Sequence, residues 1–336
     1  MIREAIQKLA GRQDLSREEA YETMNEIMSG NPSESQIAAF LMGLRSKGET
    51  AAEIAGCAKS MREKATPVKA TQAAVIDTCG TGGDGSGTFN ISTCAAIIAS
   101  AAGAVVAKHG NRAVSSQSGS ADVLRALGVN LDISPEKTSD VLADVGITLL
   151  FAPHLHGAMK FAAPVRRDMG IRTIFNVLGP LTNPAGTRRQ LVGVFNPSLT
   201  GVMAEVLRDL GSEHAIVVHG EGGLDEFSTL CSSSVSELKQ GKVHSYHVNA
   251  QEFGFSPASR EDLLGGDAQR NAEMITKVLN GEPGPAHDIA VLNAGAALIV
   301  AGRASTLAAG IAEANEAIEN GSAAAKLHQW IKATNR

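Results

Sequence analysis

The run Asp77-Thr78-Cys79-Gly80-Thr81-Gly82-Gly83-Asp84-Gly85 carries the densest chemistry in the chain. It follows an apolar stretch, residues 73–77, that reads as a buried strand. It precedes a helix that Ser92 or Thr93 can cap and that Gly103 stops. Glycines in that position let backbone N–H groups converge on an anion, and the start of the helix adds its positive dipole end. No Gly-Lys-Ser/Thr closes the run, so it is not a Walker loop, and the Gly-x-Gly-x-x-Gly spacing of a dinucleotide fingerprint is absent. The plain alternative is a flexible turn between core elements. A second run, Lys108-His109-Gly110-Asn111-Arg112, ends the next expected strand, residues 104–107. Ligands of open α/β sheets bind at that carboxyl edge. Lys108 offers a compact positive charge for a phosphate, and Asn111 an amide for a carboxylate or carbonyl. Gly119-Ser120-Ala121-Asp122 is a third small, polar helix start nearby.

Asp225-Glu226 follows a strand expected at 215–219 and the turn Gly220-Glu221-Gly222-Gly223. Paired carboxylates on such a turn suit magnesium, which takes a few carboxylates and completes its shell with phosphate oxygens and water. Acidic pairs in loops are mostly solvated, so this pair gains weight only from the phosphate candidates ending the other strands. Arg166-Arg167 lies on an expected helix, residues 158–168. An arginine there can clamp a carboxylate with two parallel hydrogen bonds, or simply be surface charge. His109 and His156 suit acid–base work or structural hydrogen bonding equally. Cys79 and Cys94 read as small packing residues.

The elements that position these groups change character along the chain. Ser16 with Glu19, Ser33 with Gln36 and Thr50 with Glu53 are successive capping boxes, and apolar residues recur between them at helical spacing. No strand is expected before residue 70. Strands at 73–77, 104–107, 147–151, 191–195 and 215–219 then alternate with helices, which argues for a mostly parallel sheet. A β-rich stretch at 243–248 precedes carboxyl-terminal helices, one capped by Asp267. Residues 154–185 look helical again and are a candidate to rejoin the first helices. The expected division is 1–70, joined by about 160–185, as a small helical domain and 71–336 as an α/β domain.

Composition narrows the function. Thirty basic against 35 acidic residues give a net charge of −5, and aromatic residues are 4%. Neither a bulk attraction to nucleic acid or membrane nor a stacking surface is expected. Cys57, Cys79, Cys94 and Cys231 have no disulfide or zinc spacing, which suits a reducing compartment. The amino terminus lacks a signal-peptide core, and the longest apolar approach, 289–301, is too short to span a bilayer and is broken by Asn293. A cytoplasmic protein is expected.

Several blocks together resemble one family. Gly80-Thr81-Gly82-Gly83-Asp84, Asn90-Ile91-Ser92-Thr93, Lys108-His109-Gly110-Asn111-Arg112, Ser118-Gly119-Ser120-Ala121-Asp122, Gly170-Ile171-Arg172-Thr173, Leu178-Gly179-Pro180-Leu181-Thr182-Asn183-Pro184 and Gly223-Leu224-Asp225-Glu226 occur in the order found in anthranilate phosphoribosyltransferases of tryptophan biosynthesis. The resemblance implies a discontinuous helical domain joined to a larger α/β domain of nucleoside phosphorylase/phosphoribosyltransferase type, with dimerisation through the helices. It implies that Gly80, Thr81, Gly82, Gly83, Asp84, Thr88, Asn90, Ser92, Thr93, Lys108 and Ser120 hold phosphoribosyl diphosphate. Ser92, Asp225 and Glu226 would bind Mg2+. Gly80, His109, Asn111, His156 and Arg166 would contact anthranilate. No residue stands out as a catalytic acid or base, and a neutral aryl amine needs none to attack. The family commonly has proline where this chain has Gly157, which frees the backbone after His156. Two rivals are a pyrimidine nucleoside phosphorylase-like enzyme and a non-catalytic relative that binds ligand or nucleic acid. The first should lack the Lys108–Arg112 and Leu178–Pro184 blocks, and the second should lose the acidic pair or carry a basic face.

Overall fold

The computed structural model describes residues 1–113 and 117–336. Its first four helices are α1 (Ile2–Ala10), α2 (Arg17–Met28), α3 (Glu34–Lys47) and α4 (Ala51–Lys64). Each of α2, α3 and α4 starts with the capping box expected at Ser16, Ser33 and Thr50. A cap of this kind is worth about 1 kcal/mol, so it fixes where a helix begins rather than whether it survives. Burial does the latter. Met24, Ile27, Phe40, Leu41, Leu44 and Ile54 share one core with Ala162, Val165, Phe175 and Leu178 from the middle of the chain. The same core reaches Val192 and Val217 of the sheet, joining the helical part to the larger one.

Among the described residues the larger part holds seven strands in the order β3-β2-β1-β4-β5-β6-β7. They are β1 (Val75–Gly80), β2 (Val105–Gly110), β3 (Ile147–Phe151), β4 (Arg189–Gly193), β5 (His214–Gly220), β6 (Ser233–Lys239) and β7 (Lys242–Val248). The first five pair in parallel, and β6 and β7 close one edge antiparallel. Strands such as β5 are buried throughout, as expected of a parallel sheet covered on both faces. One cover is α5 (Ile91–Ala101) with the helix Pro285–Val300, whose apolar run lies in the core. Among the described residues no helix is long and apolar enough to cross a membrane.

Three local expectations change. β1 and β2 run on through Gly80 and Gly110, so Lys108 and His109 stand on a strand rather than in a turn. The helix expected over 158–168 is split into a 3-10 turn, Gly157–Phe161, and a helix, Ala163–Met169, with Pro164 in its first turn. Proline has no N–H to continue an earlier helix and is tolerated at a start, so the break falls there. β6 escaped the sequence pattern because its serines mask the alternation. It joins β7 through Gln240-Gly241, both at positive φ (52° and 75°), a hairpin turn more often marked by Asn-Gly.

Candidate active site

The chain leaves β1 toward β2 and β3 and returns to the other side of β1 as β4. That reversal makes the carboxyl ends of β1 and β4 the switch point at which such sheets bind ligands. The acidic segment lies across it. A methyl group on Gly80 would overlap the Asp225 carboxylate, and one on Gly193 would overlap the Asp225 backbone. Only glycine at both strand ends lets the acidic pair sit there. The Gly82 N–H donates to Asp225 Oδ2 at 2.8 Å, and the Ser92 N–H, at the start of α5, donates to Glu226 Oε1 at 3.2 Å. Lys108, buried on β2, donates from Nζ to the Thr78 carbonyl and, at 3.1 Å, to Ser92 Oγ. Glycine loop, helix start, lysine and acidic pair thus form one hydrogen-bonded unit.

Both acids are half-buried. Burial, and then the nearby charge of Asp84, pushes the Asp225 carboxyl up to about 7. Burial, and then Asp225, pushes Glu226 well above the usual carboxylate range. Negative charge is crowded there with Lys108 as the opposing cation, which is the donor chemistry a divalent cation fits. Among the described residues no three His, Cys, Asp or Glu side chains are grouped to hold a metal by themselves. The donor set is therefore a partial shell, of the kind completed by substrate phosphates and water.

The loop itself is built for exposed amides. Gly82, Gly83, Gly85 and Gly87 all have φ near +60° to +72°, where other residues are strained. Thr81 anchors the loop to β4: its N–H donates to the Gly193 carbonyl at 2.9 Å, and its hydroxyl accepts from the Phe195 N–H at 3.1 Å. Asp84 accepts from the Ser86 N–H, and Ser86 and Thr88 share a hydroxyl contact at 3.2 Å. Asn90 precedes α5, but its side chain does not cap it; Nδ2 donates to the Ser118 carbonyl at 3.1 Å. Thr93 is buried with its hydroxyl unpartnered. Beside these, Ser120 Oγ donates to the Asn111 carbonyl at 3.3 Å, and the Asn111 side-chain oxygen accepts from the Arg112 N–H at 2.7 Å. The Asn111 amide nitrogen has no hydrogen-bond partner among the described residues.

The two histidines are paired. A carbonyl only accepts, so His109 Nδ1 donates to Gly179 O at 3.0 Å and its Nε2 accepts from His156 Nε2–H at 3.1 Å. Burial lowers His109 to about 3 and His156 to about 4, so both rings are neutral at pH 7. Of the two readings open for them, structural hydrogen bonding is the one this geometry expresses. Arg166 is half-buried while Arg167 is exposed. The Arg166 guanidinium lies 5.0 Å from the centre of the Phe175 ring and has no hydrogen bond or ion pair among the described residues. The connection runs from Phe175 along the helix Phe175–Leu178 to Gly179 and its histidine partner.

Two family models match the chain. A glycosyl transferase family α/β domain covers residues 72–324, and a glycosyl transferase family helical bundle domain covers 3–65. An anthranilate phosphoribosyltransferase from a Thermoanaerobacter species is 52% identical over 336 residues, spanning 100% of this chain and 99% of its own. Among solved structures, the anthranilate phosphoribosyltransferase of Thermus thermophilus superposes with a TM-score of 0.94 at 43% identity, over 99% of each chain. That of Saccharomyces cerevisiae, solved with phosphoribosyl diphosphate and magnesium, gives 0.91 at 26% identity, over 99% of this chain and 98% of that one. The chain belongs to the anthranilate phosphoribosyltransferase family. The phosphorylase and silent-relative readings fall away with that full-length match.

Within this family frame, three supporting residues escaped the sequence reading. Asp77, fully buried, accepts from the His109 N–H at 2.9 Å and from Asn183 Nδ2 at 2.8 Å. Asn183 also donates to the Ala107 carbonyl at 2.8 Å, so it locks β1 to β2 just below the site. Its place in a Thr-Asn-Pro turn was the available signal. Asn271, far along the chain, donates to Asn90 Oδ1 at 3.0 Å, and nothing near it in sequence marks it.

Proposed function

We infer that this chain transfers the 5-phosphoribosyl group of phosphoribosyl diphosphate to the amine of anthranilate. The N–C1 bond forms as the C1–O bond to diphosphate breaks. Pyrophosphate leaves with the electron pair, and the nitrogen sheds one proton to solvent or to the leaving group. The observation that carries this reading is the hydrogen-bonded union of the Asp225-Glu226 pair with the amides of Gly82 and Ser92 at the sheet's switch point. Such a union unites a cation site with a phosphate cradle, and the yeast relative is recorded with both phosphoribosyl diphosphate and magnesium.

In this reading Gly80, Thr81, Gly82, Gly83, Asp84, Thr88, Asn90, Ser92, Thr93, Lys108 and Ser120 form the donor cradle. Asp225, Glu226 and Ser92 are the residues that would hold Mg2+, which when bound would supply positive charge to the diphosphate leaving group. Apart from the Gly82 N–H, which Asp225 already holds, the loop amides of the left-handed glycines Gly83, Gly85 and Gly87 are set before that charge develops. Lys108 adds a buried cation beside them. The acceptor side is Asn111, whose side-chain NH2 has no partner among the described residues, and Arg166, whose guanidinium has no anionic partner among them. Together they suit the anthranilate carboxylate and aim its amine at C1, where holding two reactants in line is worth several orders of magnitude in rate. His109 and His156, neutral and bonded to each other, line this side without acting as a base. None is needed, since the aryl amine attacks in its neutral form.

The shared core of α1–α4 with residues 162–181 supports a discontinuous helical domain, 1–70 with about 160–185, set against 71–336. Met42, exposed on α3, supports dimerisation through the helices. Three buried, unbridged cysteines suit a reducing, cytoplasmic setting. The direct test mixes protein, phosphoribosyl diphosphate, Mg2+ and anthranilate and follows anthranilate fluorescence. A loss of signal that requires all four components is expected; a folded protein that leaves the signal constant overturns the reading.

A further inference from the structure

The carboxyl-terminal half sends one segment back to the site. Between residues 258 and 271 it touches both active loops. Arg260 donates from its guanidinium to the Gly222 carbonyl, on the turn before Asp225. The Leu263 carbonyl accepts from the Phe89 N–H at 3.0 Å, and the Gly265 N–H donates to the Gly87 carbonyl at 2.9 Å. A side chain on Gly265 would crowd both the Phe89 backbone and the Asn271 amide, so the approach is close by construction.

Asn271 closes this strap. It is 1% exposed, on the helix Ala268–Leu279. Its oxygen accepts from the Gly266 N–H at 2.8 Å, which leaves its nitrogen to donate, and the acceptor it meets is Asn90 Oδ1 at 3.0 Å. Asn90 is thereby fixed in one amide orientation: oxygen toward Asn271, nitrogen toward the Ser118 carbonyl. Without that donor the Asn90 oxygen keeps only the Ser118 hydroxyl, 3.5 Å away, and the Ser118 carbonyl is left to hold the amide's orientation.

We propose that Asn271 is a positioning residue for phosphoribosyl diphosphate, acting through the orientation of Asn90 and the strap that clamps residues 87–90. It touches no reacting atom. The inference rests on the donor cradle described above, and it extends that cradle to a residue 181 positions away in sequence. Asn271→Asp is the sharp variant. It keeps the oxygen that accepts from Gly266, so the strap retains its anchor, but it turns a donor to Asn90 into a second acceptor.

The experiment is steady-state kinetics on full-length wild type, Asn271→Asp, Asn90→Ala and the double variant, varying each substrate separately. Asn271→Asp is expected to raise the KM for phosphoribosyl diphosphate about tenfold, the scale of one buried bond lost with its partner left unpaired. The KM for anthranilate should stay within about twofold. In the Asn90→Ala background the same substitution should add less than about twofold, because its target is gone. A purely structural role would lower the melting temperature and leave the KM ratio of the two substrates unchanged, which would overturn the proposal. Effects of the two substitutions that simply multiply would overturn it as well. Should Asn271→Asp fail to fold, Asn271→Ser, with a hydroxyl that can serve the Gly266 N–H, carries the same comparison. Wild-type protein without transferase activity would sink the proposed function; an active wild type with an unaltered Asn271→Asp sinks only this inference.

Discussion

The two halves of the candidate site are built in opposite ways. On the proposed donor side, the glycine loop, the start of α5, Lys108 and the acidic pair are tied to one another by hydrogen bonds of 2.8–3.2 Å. On the proposed acceptor side, Arg166 rests on an aromatic ring, and the Asn111 amide nitrogen has no hydrogen-bond partner among the described residues. A highly charged diphosphate needs a preorganised cradle, because its charge changes most as the bond breaks. A small aromatic acid needs chiefly a carboxylate partner and a surface to lie on. Substitutions on the two sides should therefore separate: one set damages turnover, the other damages affinity for a single substrate.

The strongest break is expected at the acidic pair. Glu226→Gln should lower kcat/KM by at least about a hundredfold, since it removes charge from the proposed cation site and unsettles the Ser92 amide. A loss under about fivefold would show that the pair is solvated and idle. Arg166→Ala comes next. It should raise the KM for anthranilate by about ten- to a hundredfold, the range for losing a charge-assisted pair, while the KM for phosphoribosyl diphosphate holds. Equal rises in both would merge the two sides.

The histidine pair gives a smaller, pH-dependent effect. His109 and His156 titrate near 3 and 4 in the folded chain, below the ordinary value near 6.5. The unfolded chain then binds more protons between about pH 6.5 and 4, so these rings make stability fall as pH falls through that window. In urea titrations across it, His156→Gln should flatten the slope relative to wild type, by about 1–3 kcal/mol in total. An unchanged slope would mean that the pair is already protonated or solvated. Smallest is Gly157→Ala. No atom lies within 4 Å of the added methyl and φ is not in the left-handed region, so a gain of about 0.4–1 kcal/mol with unchanged kinetics is expected. A loss would show that the residue after His156 needs glycine's freedom.

This contrast also explains what was legible in the sequence. The donor side is written in contiguous runs, because a loop of left-handed glycines and a helix start are local objects. Gly80–Gly85, Lys108 and Asp225-Glu226 could be placed at one sheet edge from strand order alone. The capping boxes of α2, α3 and α4 were readable for the same reason. Arg166 required a family resemblance, since an arginine on a helix says nothing about the ring beneath it. Asp77 and Asn183 act through backbone groups distant in sequence and Asn271 through the distant Asn90 side chain, and their residue types are common in turns and caps. β6 was hidden by Ser233, Ser234 and Ser236, whose polarity conceals a strand paired with β5 that buries the first and last of them.

The central claim is a transfer between two substrates, and its most direct measurement is the stoichiometry of the reaction. Pyrophosphate release and anthranilate consumption should be followed together with phosphoribosyl diphosphate and Mg2+ present. One pyrophosphate per anthranilate consumed, with neither signal when anthranilate is left out, is the expected result. Pyrophosphate released at the same rate without anthranilate, or no release from folded protein, would contradict the claim.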